Sequence, residues 1–587
     1  MPCELLRTAG QLFLWLWLLL RSSFASAKAN FPVPWSPEKY GPDGPWQAVR
    51  VRVGGNDPEI RYELQSVAVD LLPGGTYSSY ILTPQACEPF INDACGAGGL
   101  WDPRGVSAFP ISWRAAFRNA ATNQTSGGSP FMIQAMTINE HTVWNSSLVA
   151  VDNVTITMPN GNTRGPLLGQ LSLGGEKTVQ GFTRDDRKVG TSDAYIFSGG
   201  LYDQGVIPSY SYGLHIGSAA HNYPGSLVFG GYDKGRVIGP YTTFSDWSIT
   251  LLDIGIGVET GASPFPFKSK TGLLVSNTSS PQALSVAPDP TVPYLHLPPN
   301  TCEAIVEHLP VSMDPATGYY LWDTDDPRFK TITTSPSYLS FTFPPASGST
   351  DEVVIKVPFA LLNLTLEKPI VSGSPRSYFP CSSFTPQSGD SYRLGRAFLQ
   401  AAFLGRNWFT KVSWLAQAPG PGLQRQGLGT QFHDIPDRAT TIEYFDPKGQ
   451  FARSWEMYWT PLEGNETDDN APLPSASGVP QSTNLSNTAK IGIGVGCGIG
   501  GIIVISGILT FLIKTRRLCA GTTPRASEAP QYCYPAGETL AREIKHPLEL
   551  QDRRHQVYEV DGTSTFPPLF ELGHSTPRVT SLREGYI

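Results

Sequence analysis

Apolar and polar residues alternate from Ala48 to Val53 (Ala-Val-Arg-Val-Arg-Val), the period-two pattern of a half-buried strand. A second apolar run, Leu64-Gln-Ser-Val-Ala-Val, ends at Asp70; a turn through Pro73-Gly74-Gly75 follows, and Tyr80-Ile-Leu82 resumes the strand pattern. The same shape returns far along the chain. Ala283-Leu-Ser-Val-Ala runs into Asp289 between Pro288 and Pro290, turns through Thr291 to Pro293, and comes back as Tyr294-Leu-His-Leu297. One Asp-Pro turn alone reads as a surface hairpin. Two strand-acid-turn-strand units about one lobe's length apart predict a duplicated architecture.

Hydropathy also divides the 587 residues into regions. Arg7 precedes the apolar run Leu12 to Leu20, and Ala25-Ser-Ala27 offers a cleavage site, so residues 1–27 are expected to be a signal peptide. No residue from Ile491 to Ile513 is charged, which predicts one membrane-spanning helix. Lys514, Arg516 and Arg517 follow at once and place the C-terminus in the cytoplasm. The seven sequons, at Asn123, Asn145, Asn153, Asn277, Asn363, Asn465 and Asn484, all precede that span. The expectation is a single-pass type I protein of the plasma membrane or secretory pathway, its ectodomain extracellular or luminal. From Pro419 Gly, Pro and polar residues dominate apart from Trp455 to Trp459, so 417–490 reads as a glycosylated stalk. The tail, 514–587, mixes charges without apolar periodicity and reads as disordered. Gly492, Gly496 and Gly500 form a ridge in the span that either permits helix pairing into a homodimer or reflects the ordinary abundance of glycine in membrane helices.

Gly (59) and Pro (52) are plentiful and only 16% of residues are charged, which suits a mainly β, turn-rich protein. A formal charge of −7 without a long basic run argues against a nucleic-acid partner. No metal-ligand spacing, phosphate loop or serine-nucleophile elbow occurs, so neither a cofactor nor a metal is expected.

The paired loops carry a family resemblance. So do Tyr212-Gly-Leu-His-Ile-Gly217, Pro224-Gly-Ser-Leu-Val-Phe-Gly-Gly-Tyr-Asp233, Tyr392-Arg-Leu-Gly-Arg-Ala-Phe-Leu-Gln400 and Phe403-Leu-Gly-Arg-Asn-Trp-Phe409. Together they resemble the pepsin family of aspartic peptidases, in the form of a fungal-type membrane-anchored member. The resemblance spans residues 45–416 and implies a bilobal pepsin-like β fold with lobes at about 45–205 and 206–416. It implies Asp70 and Asp289 as the candidate catalytic dyad, one from each lobe's Asp-Thr/Ser-Gly loop. The exported region holds Cys87, Cys95, Cys302 and Cys381, which allow three connectivities. The sequential one keeps each bridge within a lobe and is the arrangement the resemblance implies. A hydrophobic-hydrophobic-Gly turn should support each loop; in the first lobe either Leu167-Leu168-Gly169 fills it, or Leu171 and its neighbours do with Ser172 in place of Gly.

Aspartic proteolysis needs two rigidly held carboxylates sharing one proton. Here the supporting residues are degenerate. Leu71, Leu72 and Pro73 follow Asp70, while Pro290, Thr291 and Val292 follow Asp289. Gly74 and Gly75 come too late to substitute unless the loop is re-registered. No tyrosine lies between Tyr80 and Tyr195, so the flap tyrosine is missing; Trp113 or Trp144 could cover the cleft, although each reads more readily as core. Without support, the two acids are expected to titrate near an ordinary carboxyl value of about 4. The expected function is a catalytically impaired pseudoprotease that binds a peptide, protein or cell-surface ligand in the cleft. The alternative is an active membrane-tethered aspartic endopeptidase working at acidic pH.

Overall fold

The computed structural model describes residues 28–463 apart from 56–65, 91–93, 104–113, 116–117, 120–123, 127–128, 183–191, 277–282, 347, 387–389, 427–428 and 446–447. The expected signal peptide, membrane span and tail, Trp113, and the sequons at Asn123, Asn277, Asn465 and Asn484 lie outside the described residues. Among the described residues no helix is long and apolar enough to cross a membrane. The chain is mainly β, as its composition predicts.

In the first lobe the alternation at 48–53 does what its period requires. Val49, Val51 and Val53 of the strand Val49–Val53 are buried while Arg50 and Arg52 face outward. This strand pairs antiparallel with Val67–Pro73, from Val49 against Leu71 to Val53 against Val67. Both belong to a nine-stranded sheet in which His141–Val151 pairs with Ser79–Leu82 on one side and Ser129–Ile138 on the other, so the sheet rolls onto itself. The second lobe is built from a five-stranded sheet containing Leu284–Pro288, Tyr392–Leu394, Leu295–Leu297 and Cys381–Ser383, with two four-stranded sheets around it. A six-stranded sheet draws on segments from residue 31 to residue 417: Phe31–Pro32, Ser226–Phe229, Ser211–His215, Ala402–Asn407, Val412–Gln417 and Ile238–Phe244 lie side by side in that order.

The Pro-rich segment from Ser36 to Trp46 is a strap between the lobes. The carbonyls of Pro42 and Gly44 accept from the backbone N–H groups of Glu367 and Thr365 in the second lobe, at 2.8 and 2.9 Å. The buried carboxylate of Asp43 accepts from Trp46 Nε1 at 2.8 Å, Arg164 Nη2 of the first lobe at 3.2 Å and Tyr294 Oη of the second lobe at 2.9 Å. The hydroxyl of Tyr378 donates to the Asp43 carbonyl at 2.7 Å. A buried charge is tolerated only when its lone pairs are met in this way.

The compact unit is larger than 45–416 on both sides. Phe31 and Pro32 are already paired with Phe229 and Val228. Beyond Gln417 the chain does not become a stalk at once. Ile238 bridges Phe445, Ala262 bridges Leu462, and Thr460 N donates to Thr334 O at 2.8 Å. Phe451, Trp455 and Trp459, on and after the short helix Gln450–Ser454, enter the main core. These aromatics plug in singly, with no period to announce them, so composition alone read the segment as a linker. The stalk expectation therefore retains only residues after Glu463, which lie outside the described residues.

The disulfides follow the sequential pairing, Cys87–Cys95 and Cys302–Cys381, with Cα separations of 5.5 and 5.8 Å. Asn145 and Asn153 are exposed and Asn363 is half-buried.

Two outcomes are expected. The pair Cys302–Cys381 spans 79 positions; replacing both by Ser should cost about 4–5 kcal/mol by loop-closure entropy, read as a lowered unfolding midpoint in urea. Asp43→Ala should cost about 3–5 kcal/mol, because it strands a buried Arg164 guanidinium; a midpoint equal to wild type would show that the strap does not hold the lobes.

Candidate functional site: the paired inner loops

Each lobe carries the same device, an outer strand, a loop, and a return strand, with a third strand inserted between the two. In the first lobe Gly169–Leu171 runs parallel to Val67–Pro73, with Leu171 opposite Pro73, and antiparallel to Ser79–Leu82, with Gln170 opposite Tyr80. In the second lobe Tyr392–Leu394 runs parallel to Leu284–Pro288, with Leu394 opposite Pro288, and antiparallel to Leu295–Leu297, with Arg393 opposite His296. The register fixes which residues correspond. Gly74 N donates to Leu171 O at 2.9 Å, and Asp289 N donates to Leu394 O at 3.0 Å. Gly74 thus stands where Asp289 stands in the other lobe.

The two loops also meet. A Cβ on Gly74 would lie 2.9 Å from Thr291 Cγ2 and 3.3 Å from Thr291 N, so the close approach depends on glycine. Gly75 has φ +80°, a left-handed turn residue that other side chains resist. Leu173 N donates to Gly75 O at 3.2 Å and Tyr77 N to Gly174 O at 2.8 Å. Between the two alternatives for the supporting turn, the segment around Leu171 and Ser172 is the one that braces the loop.

This geometry corrects the pairing of Asp70 with Asp289. Asp70 lies within the outer strand, directly opposite Arg50, four residues before the loop position. The buried carboxylate is fully engaged. Arg50 donates to it through Nε at 2.8 Å and Nη2 at 3.0 Å, Tyr40 Oη at 2.6 Å, and Ser36 Oγ through a very short contact. Burial pushes the Asp70 carboxyl up, but hydrogen bonds from Arg50, Ser36 and Tyr40 and the Arg50 charge outweigh it and hold the group below the ordinary carboxylate range. In return, burial and the bonded Asp70 push the Tyr40 hydroxyl well up.

Asp289 does sit at its loop tip. One oxygen accepts from Thr291 N at 2.8 Å and Thr291 Oγ1 at 2.6 Å; the other accepts from Arg393 Nη1. Arg393 Nη2 bonds Asp390 at 2.8 Å. Here too burial pushes upward, and the Arg393 charge with the Thr291 and Arg393 hydrogen bonds prevails, so the carboxyl lies below its usual range. Beneath the loop, buried Arg396 donates to the carbonyls of Pro290 and Thr291 at 3.0 and 3.1 Å and stacks over Trp46 at 4.8 Å. Burial pulls the Arg396 pKa down. Each acid thus has its own arginine. The expectation of ordinary titration near 4 is corrected for both, because it weighed lost supports and not the new cations.

Sequence reasoning overlooked Arg50, Ser36, Tyr40 and Arg393. Arg50 was visible as a charge in an alternating strand, and Arg393 as a charge where an inserted strand should be apolar. Trp144 is 39% exposed on His141–Val151, not core. His296 is fully buried, as a core residue. Among the described residues no three His, Cys, Asp or Glu side chains gather as a metal site.

Both acids are depressed, so their stabilisation is complete above the unfolded value of about 4 and is lost as pH falls through the folded values. Urea midpoints should therefore drop below about pH 4. Asp70→Asn should cost about 2 kcal/mol at pH 7, the scale of charge-assisted hydrogen bonds, and flatten that acid decline. Wild-type stability in the variant at pH 7 would refute the assigned role of the Arg50 fork.

No protein-family model matches the chain. Rhizopuspepsin of Rhizopus chinensis is 29% identical over 153 residues, 25% of this chain and 34% of that protein. The match spans about a third of rhizopuspepsin's length. With the duplicated loop device, it ties the chain distantly to the pepsin-like aspartic peptidases.

Proposed function

We propose that the protein is a pseudoprotease: a pepsin-like ectodomain that binds a peptide or cell-surface ligand in the inherited cleft without cleaving it. The observation that carries this reading is the pair Gly74 and Asp289. Proteolysis of the aspartic type has one carboxylate take a proton from water while the other gives one to the scissile carbonyl. With glycine at one of the two positions there is no second acid to hold the shared proton. Asp289 alone does not supply the missing half, since Arg393 and Thr291 already occupy both of its oxygens. A carboxylate so stabilised is a poor base. The strand edges and loops that bind extended peptide by β-type pairing do not need the dyad, so ligand binding can outlast loss of turnover.

The remainder of the proposal rests on sequence. Residues 1–27 direct export, 491–513 anchor the chain as a single-pass type I protein, and the glycine ridge in that span offers a homodimer contact. The ectodomain would face the outside of the cell or the lumen of the secretory pathway.

The deciding experiment offers a mixed peptide library to the purified protein between about pH 3 and 6, with and without pepstatin. The expected outcome is no pepstatin-sensitive cleavage and no pepstatin binding, with Asp289→Asn equal to wild type in both assays. Cleavage that pepstatin blocks and Asp289→Asn abolishes would refute the pseudoprotease reading. Asp289→Asn should still lower the unfolding midpoint, because Arg393 loses its charged partner.

A further inference from the structure

His296 and Arg393 stand directly opposite each other on adjacent antiparallel strands, so their side chains share one face of the sheet. His296 is 1% exposed. Neither of its ring nitrogens has a protein hydrogen-bond partner among the described residues, and the Nε of Arg393 is likewise buried without one. The flanks of the imidazole are closed by rings: Tyr294 and Phe384 pack edge-on against it, both at 5.7 Å between centroids. Three buried polar atoms on this face of the sheet are thus left without a protein partner.

We infer that a buried water bridges Arg393 Nε to a ring nitrogen of His296, and that through this water His296 positions the guanidinium over Asp289. The chemistry selects the occupant. An anion is disfavoured, because the guanidinium already answers two carboxylates, Asp289 and Asp390. A cation is disfavoured by the Nε–H donor. Burial and the Arg393 charge push the His296 pKa down to about 3, so at ordinary pH the ring is neutral and offers one donor and one acceptor. A water accepts from Nε–H and either donates to the ring or accepts from it, and buried waters serve groups of this kind. The guanidinium is then held by all three kinds of nitrogen: Nη1 on Asp289, Nη2 on Asp390, and Nε through the water on His296.

A crystal structure of the purified protein, at a resolution that shows ordered water, should reveal density within hydrogen-bond distance of both Arg393 Nε and His296. Bare atoms there would overturn the inference, and this measurement needs no variant. At pH 8, where the ring is neutral whether folded or unfolded, His296→Leu should lower Tm and His296→Gln should recover part of the loss by keeping a donor and an acceptor. In the His296→Leu crystal structure the guanidinium should shift off Asp289. A dry pair predicts the opposite: Tm unchanged or raised in His296→Leu, since two unpaired nitrogens leave the core, and an unmoved Arg393.

Discussion

The carboxylate of Asp43 accepts hydrogen bonds from groups that the chain brings from three distances: Trp46 three residues on, Arg164 in the first lobe, and Tyr294 in the loop of the second. Much of the architecture hangs on that convergence. Tyr294 closes the loop that Asp289 opens, and Gly395 N donates to its carbonyl at 3.0 Å, so the strap is coupled to the inserted strand of the second lobe. Toward its other end the same strap delivers Ser36 and Tyr40 to Asp70. One short segment therefore ties the outer strand of the first lobe to the loop of the second. Breaking a buried ionic network by removing one partner is far costlier than never having built it, which makes Asp43 a residue the fold cannot readily surrender.

The two acidic residues show how one chemical group acquires opposite roles from its surroundings. A catalytic dyad works because two carboxylates repel, forcing them to share a proton. Here the two carboxylates do not face each other as a pair, and each is given a guanidinium and at least one hydroxyl donor, so neither has a reason to hold a proton. Asp70 becomes a brace between a strand and the strap. Asp289 becomes one end of a chain of charges running through Arg393 to Asp390.

The duplicated loop device was legible because each copy repeats an apolar strand, an acid or turn, and a second strand. Asp289 was legible because proline brackets its turn. Asp70 misled because it ends an apolar run as a loop acid would, whereas the true register depends on Gly169–Leu171, nearly a hundred residues away, pairing with Pro73 and not with Val69. A four-residue slip changes no local pattern. Only the long-range hydrogen bonds from Gly74 and Asp289 to their inserted strands distinguish the two alignments. The strap was opaque for a related reason: nothing in Asp43 or Tyr40 names its distant partner.

The segment after Gln417 has a mechanical meaning. It does not leave the molecule from the six-stranded sheet that ends there, but crosses the second lobe and is pinned at Thr334 and Ala262 just before Glu463. Tension applied through the chain beyond this point would first load those two backbone attachments and the stacked Trp455 and Trp459, whose centroids lie 5.6 Å apart. The inner loops are therefore shielded from pulling by a sacrificial fastening: the wrapped segment would peel away before force reached Gln417 and the strands that support Asp289.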